Sequence, residues 1–353
     1  MSRLSNPERG ALALIVLLTA LAGAANYGAW GPVLRFALAT LALAGLAWVV
    51  SFATEQLGER FGPAVTGMLQ STLGNLPELF VVIFALKAGE LVVAQTAIVG
   101  SILANALLVL GLVIVIGARR SPDGVMRFSP RLPRDTATLL LLAVFIIVLL
   151  GLSLAAHDPA SHHVQEISAV GAVCLLVVYL AWVVPYLRSD SMAPPADDGG
   201  PRLGLGVTLT LLLLAGGASA FVSDWFVNGL APAIAVLNLS QAFAGLVIVA
   251  IAGNAVEHVV GLVFAYKRRS DLAISVVKNS VAQIAAFLFP LLVLVSFALS
   301  TQLTFALAPV YIGALALSAL TLSQVTGDGE AAAFEGWALV ALYVILATFT
   351  LYE

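Results

Sequence analysis

Long apolar runs, most of them near 20 residues, alternate along the chain with short clusters of charge, glycine and proline. A helix needs roughly 20 apolar residues to cross the hydrocarbon of a bilayer, so each run predicts a spanning helix. Cutting at the polar clusters gives eleven spans near 10–30, 32–54, 61–86, 90–117, 135–155, 165–187, 203–224, 241–265, 271–298, 303–323 and 331–352. An apolar piece at 232–239 reads as a short interfacial segment joined to the span that follows it. Ala22-Gly23-Ala24 looks like a signal-peptide cleavage site, but the apolar stretch before it is long for that role, and a retained helix is expected.

The basic residues orient this array. With the N-terminus inside, the inner loops hold Arg3, Arg9, Arg60, Arg119, Arg120, Arg127, Arg131, Arg134, Arg188, Arg202, Lys267, Arg268 and Arg269, and the outer loops hold only Arg35 and Lys87. An excess of Lys and Arg marks the cytoplasmic side, so the N-terminus is expected in the cytoplasm and the C-terminus outside, in the plasma membrane. Lys278 is the one basic residue that falls inside a span.

The longest polar stretch, Arg188 to Arg202, carries Pro194-Pro195, Asp197-Asp198 and Gly199-Gly200 and reads as a flexible linker near the middle of the chain. It divides the sequence into an N-terminal extra helix (1–31), a first five-helix unit (32–187), the linker (188–202) and a second five-helix unit (203–353). The two units answer each other. Gly74-Asn75-Leu76-Pro77-Glu78 matches Gly253-Asn254-Ala255-Val256-Glu257 at an offset of 179 residues. Ser51-Phe52-Ala53-Thr54-Glu55 resembles Ala220-Phe221-Val222-Ser223-Asp224, and Ser101 and Asn105 match Asn279 and Gln283 if one residue is dropped between them and the Glu. A shift of five spans reverses direction across the bilayer, so the repeats are expected to be inverted, as in secondary transporters with a midplane binding site.

Composition narrows the class further. Of 353 residues, 61% are hydrophobic and 10% charged, against about 25% charged in soluble domains, which excludes a soluble enzyme. The net charge of −3 leaves no basic tract for nucleic acid, and a single cysteine, Cys174, excludes a disulfide scaffold.

With charge so scarce, Glu78 and Glu257 near the middle of spans stand out, because a charge at that depth costs at least about 2.5–3.5 kcal/mol. Gly74 and Gly253 are expected to break their helices, with Pro77 in the first turn of a restarted half-helix. Carbonyls freed at such a break need partners, and a cation is a suitable one. Two facing carboxylates suit a divalent ion, and with carbonyls and water they reach the 6–8 oxygens typical of calcium; magnesium, which gives up water reluctantly, fits less well. Two buried carboxylates also resist ionising together, so protons and cation compete for the same oxygens. That competition is the minimal chemistry of an antiporter.

These motifs, with Thr54-Glu55, His258 and the terminal Gly327-Asp328-Gly329-Glu330 and Glu335-Gly336, resemble the calcium/cation:proton antiporters (CAX) of the calcium:cation antiporter superfamily. The resemblance implies an all-α polytopic membrane protein of eleven transmembrane helices, one extra helix plus two inverted five-helix repeats. It also implies proton-coupled export of Ca2+ from the cytoplasm, with no cofactor, the partners being the transported cation, protons and membrane lipid. On the family's pattern the cation site maps to Glu78, Glu257, Asn75, Asn254, Gly74, Gly253, Asn105 and Gln283, with protons on the same two glutamates.

Other residues are open to two readings. Asn105 and Gln283 serve equally as interhelical hydrogen-bonding groups. Ser101, Asn279 and Ser280 read as helix-packing residues, and His258 as a packing or proton-relay group. Glu55 and Asp224 read as interfacial charges or as acids lining the two entry routes. Lys278-Asn279 stands where the family pattern has a Gly-Ser pair; the lysine either snorkels to the interface or faces the site, where it would repel a divalent ion or replace a monovalent one. The central linker has only Asp190, Asp197 and Asp198 where the family often has an acidic helix. The outer-loop His157, Asp158, His162, His163 and Glu166 match no standard zinc spacing and read as a solvated loop. The sequence therefore predicts a Ca2+/H+ antiporter, with Na+ or K+/H+ exchange as the alternative and a passive cation channel behind both. No Ser/His or His-Glu-x-x-His arrangement in any span supports an enzyme.

Overall fold

The computed structural model describes residues 4–28, 30–58, 60, 73–190 and 202–353. The start of the expected third span (61–72), Glu59 and most of the expected linker, including Asp197 and Asp198, lie outside them. The helices are α1 (Asn6–Tyr27), α2 (Pro32–Gly58), α3 (Leu76–Lys87), α4 (Leu91–Arg120), α5 (Arg131–Ala156), α6 (Val164–Asp190), α7 (Leu205–Leu237), α8 (Gln241–Gly253), α9 (Ala255–Tyr266), α10 (Ser270–Ser296), α11 (Pro309–Thr326) and α12 (Ala333–Leu351). Nine of these, among the described residues, are long and apolar enough to cross a membrane, and α8 with α9 makes a tenth span bent by 61°. The chain is an all-α polytopic membrane protein.

The expectation of an interfacial piece at 232–239 is wrong. Residues 232–237 continue α7, a helix of 33 residues that passes through Pro232 without ending. Its buried face runs on through Leu230, Ala233 and Ile234, and Gly229 lies against the backbone of Phe36 on α2. Packing on α2 therefore holds the helix together across the hydrogen bond that proline removes.

Small residues let the central helices approach closely. Gly100 of α4 abuts the backbone of Leu246 on α8, Gly245 of α8 abuts Thr96 of α4, and Gly111 of α4 meets Gly336 of α12. A Cβ at any of these positions would collide with its neighbour, the packing logic of helices in lipid. Both α4 and α10 are largely enclosed, whereas α1, α7 and α12 present broad apolar faces outward. Three π-helical segments interrupt the central helices: Ala104–Val109 in α4, Ala244–Val249 in α8 and Ile284–Leu288 in α10.

Polar contacts sort the helix ends into two layers. At one end Arg60 donates to Leu203 O (2.6 Å), Arg202 pairs with Glu8 (2.9 Å), and Ser129 N donates to Asp271 (2.7 Å). The same end carries an antiparallel ribbon of β1 (Val125–Arg127) and β2 (Glu330–Ala332). At the other end Gln241 donates to Glu90 (2.9 Å), Arg35 to Asn26 (2.9 Å), and Tyr311 to Glu353. The layers follow the alternation of loops read from the sequence.

Candidate cation site

Two interrupted helices build the site. Before α3, Asn75 has φ −84° and ψ 4°; between α8 and α9, Asn254 has φ −108° and ψ 12°. Both lie in the sparsely populated bridge region of backbone space. The interruption thus falls on the asparagines rather than on Gly74 and Gly253, which were expected to supply it. Pro77, as expected, occupies the first turn of α3. Glu78 and Glu257 both sit in the first turn of a half-helix, where the positive end of the helix dipole favours a carboxylate.

What the glycines supply is room. A Cβ on Gly74 would stand 3.3 Å from Glu257 Oε1, and one on Gly253 would stand 3.8 Å from Glu78 Cβ. Each glutamate thus leans against the glycine of the other motif. Glu78 is 1% exposed and Glu257 8%.

Serines from α4 and α10 complete the arrangement. Ser280 Oγ donates to Glu257 Oε2 at 2.5 Å. Ser101 faces Glu78 and accepts from Asn254 Nδ2 at 2.9 Å. Ser280 follows Ser101 by the same 179 residues that separate the two motifs, so Ser280, and not Asn279, stands in the corresponding place. The sequence match held the polar pair at a spacing of four residues, whereas Ser280 and Gln283 are three apart, and it therefore fell on Asn279.

The remaining candidates divide. Asn75 is buried at the first interruption. Asn105 lies in the π segment of α4 and donates to Ser101 O (3.0 Å); Gln283 lies one turn beyond Ser280. His258 is buried beside Glu257 in sequence, with no partner for Nε2 among the described residues, and Asn279 Oδ1 is likewise unpartnered. Lys278 neither snorkels to solvent nor pairs with a glutamate: it is fully buried, and Nζ donates to Thr326 Oγ1 (3.1 Å) at the end of α11. Asp224 accepts from Asn228 (3.1 Å) at an exposed position, and Glu55 is exposed. His163 and Glu166 stand 3.9 Å apart with solvated side chains, and no three His, Cys, Asp or Glu among the described residues are grouped so as to hold a metal ion. Tyr179 of α6, buried and facing Gln283, was not signalled by the sequence, where an aromatic in an apolar span reads as packing.

Most unpartnered atoms of the candidate residues are carboxylate and carboxamide oxygens. Both oxygens of Glu78 and the carbonyl oxygens of Asn75, Asn105, Asn254 and Gln283 are buried without a hydrogen-bond partner among the described residues. Buried acceptors left unpaired are costly, and native proteins rarely keep them without a ligand or water. Carboxylate and carboxamide oxygens suit hard cations such as calcium.

The sequence profile of the family described as "sodium/calcium exchanger protein" matches residues 31–186 and 207–352, one stretch on either side of the central linker. The chain belongs to the sodium/calcium exchanger protein family. Among relatives of this exchanger, a Ca(2+)/H(+) antiporter of Synechocystis is 31% identical over 357 residues, 95% of each chain. A vacuolar calcium ion transporter of Schizosaccharomyces pombe is 33% identical over 334 residues, covering 91% of this chain and 80% of that one. The crystal structure of the Ca2+/H+ antiporter protein YfkE superposes with a TM-score of 0.82 at 26% identity, covering 98% of this chain and 100% of the other. These matches put the exchanger among the calcium/cation:proton antiporters, as the paired motifs implied, and make it a transporter and not an enzyme.

Proposed function

We propose that this exchanger moves Ca2+ out of the cytoplasm in return for H+, with Glu78 and Glu257 binding the cation or protons in turn. The reciprocal seating of each glutamate against the other motif's glycine carries the reading, because it gathers two carboxylates and a set of unpartnered oxygens in one buried place. Cation entry satisfies those oxygens, and protonation relieves the repulsion between the carboxylates. The site comprises Glu78, Glu257, Asn75, Asn254, Asn105 and Gln283, with Gly74 and Gly253 giving the room and Ser101 and Ser280 orienting the acids. Lys278 is directed to Thr326 and leaves the divalent preference intact.

The proposed frame has eleven transmembrane helices, the third expected at 61–86, of which 61–72 lie outside the described residues. An extra helix (1–31) precedes two inverted five-helix repeats, 32–187 and 203–353, joined by a cytoplasmic linker at 188–202. The N-terminus faces the cytoplasm, the C-terminus is outside, and the membrane is the plasma membrane. Alternating access follows from rocking of the paired repeats about the shared site.

A pH-sensitive dye in everted vesicles tests this reading, with calcium, sodium, potassium and magnesium added in turn. Calcium-driven proton movement is expected; a response to sodium or potassium alone assigns the scaffold to monovalent exchange, and cation flux without proton movement assigns it to a channel.

A further inference from the structure

Tyr179 is 1% exposed on α6, its ring 5.4 Å from that of Phe287 and 5.9 Å from that of Trp182. It packs with Ala282 and Ala286, which bracket Gln283 on α10. Packing alone needs no hydroxyl; phenylalanine would fill the same space. The Tyr179 hydroxyl faces the Gln283 carboxamide, and neither that hydroxyl nor Gln283 Oε1 completes a hydrogen bond among the described residues. A buried tyrosine hydroxyl ordinarily has a partner.

A carboxamide has a donating end and an accepting end, and only the accepting end attracts a cation. Gln283 lies three residues beyond Ser280, which holds Glu257, so the two share one helix face. We infer that Tyr179 is a positioning residue for the cation site: its hydroxyl accepts from Gln283 Nε2 and turns Oε1 toward the glutamates. Without that hydroxyl the amide flips freely, and its N–H end faces the cation for part of the time. The inference rests on the proposed function, in which Gln283 is a ligand.

Calcium-driven proton uptake in proteoliposomes tests it with Tyr179→Phe, Gln283→Ala and the double variant. Tyr179→Phe keeps the ring and its packing, and is expected to raise KM for Ca2+ about three- to fivefold while kcat stays within about twofold, a split that general loss of fold would not produce. In the Gln283→Ala background the same change is expected to have no further effect on KM. An unchanged KM in Tyr179→Phe, or effects that multiply in the double variant, overturns the positioning role while leaving Gln283 a ligand. An unchanged KM in Gln283→Ala overturns both the role and the assignment of Gln283 to the site.

Discussion

Glu257 and Gly74 meet across the two interrupted helices, with Oε1 lying 3.3 Å from the point a Cβ on Gly74 would occupy. The reciprocal pair, Glu78 and Gly253, is looser at 3.8 Å, an ordinary van der Waals distance. Alanine at the two glycines is therefore expected to act unequally. Gly74→Ala displaces the Glu257 carboxylate and raises the Ca2+ concentration for half-maximal transport about threefold to tenfold, roughly 0.7–1.4 kcal/mol. Gly253→Ala is expected to stay within about twofold. Transport titrations of the two variants check this, and equal effects would remove the steric argument.

Asn254 Nδ2 donates to Ser101 Oγ (2.9 Å) and to Ala250 O (3.0 Å), and Oδ1 stays buried without a hydrogen-bond partner among the described residues. Ser101→Ala removes a hydrogen bond of about 1 kcal/mol and is expected to weaken Ca2+ binding about fivefold. In Asn254→Ala the serine keeps only its contact with Glu78, so the two substitutions are expected to be less than additive in calorimetric titration of the purified protein.

The all-α polytopic class and the two buried glutamates were legible in the sequence because lipid makes apolar runs long and buried charge rare. Register inside the helices left a weaker trace. Ser280 keeps the 179-residue offset from Ser101, but the polar pair of α10 is spaced by three residues and that of α4 by four, so matching the pairs falls on Asn279. The continuity of α7 through Pro232 depends on its packing against α2, which no single segment records. Side-chain direction was equally hidden. Lys278 could be read as snorkelling or as facing the site, and it is buried with Nζ on Thr326 Oγ1.

That direction yields a prediction. With Nζ bound to Thr326 Oγ1, Lys278 is removed from the glutamates, and Lys278→Met is expected to leave both Ca2+ half-saturation and preference over Na+ within about twofold. A shift of preference toward Na+, measured by competition in proteoliposomes, would mean that the ammonium charge is felt at the site.

The β1–β2 ribbon lies outside the spanning segments, and its charges answer to solvent. A hydrogen bond from the Arg127 guanidinium, 2.6 Å away, holds the Asp123 carboxyl below the ordinary aspartate value of 3.8. A lowered value means that the pairing is complete above 3.8 and is lost as pH falls below it. Hydrogen-exchange protection of the ribbon, corrected for the intrinsic pH dependence of exchange, is therefore expected to be flat from neutral to mildly acidic pH. In Arg127→Gln, which also loses the contact to Glu330, protection is expected to fall across that whole range.

Exchange of Ca2+ for protons at one pair of carboxylates is the central claim, and proton release on binding tests it most directly. Ca2+ added to the purified protein in weakly buffered detergent solution is expected to acidify the medium in proportion to the Ca2+ bound. Glu78→Gln and Glu257→Gln are each expected to lose most of both signals together. Full Ca2+ binding with full proton release in either variant would contradict the account.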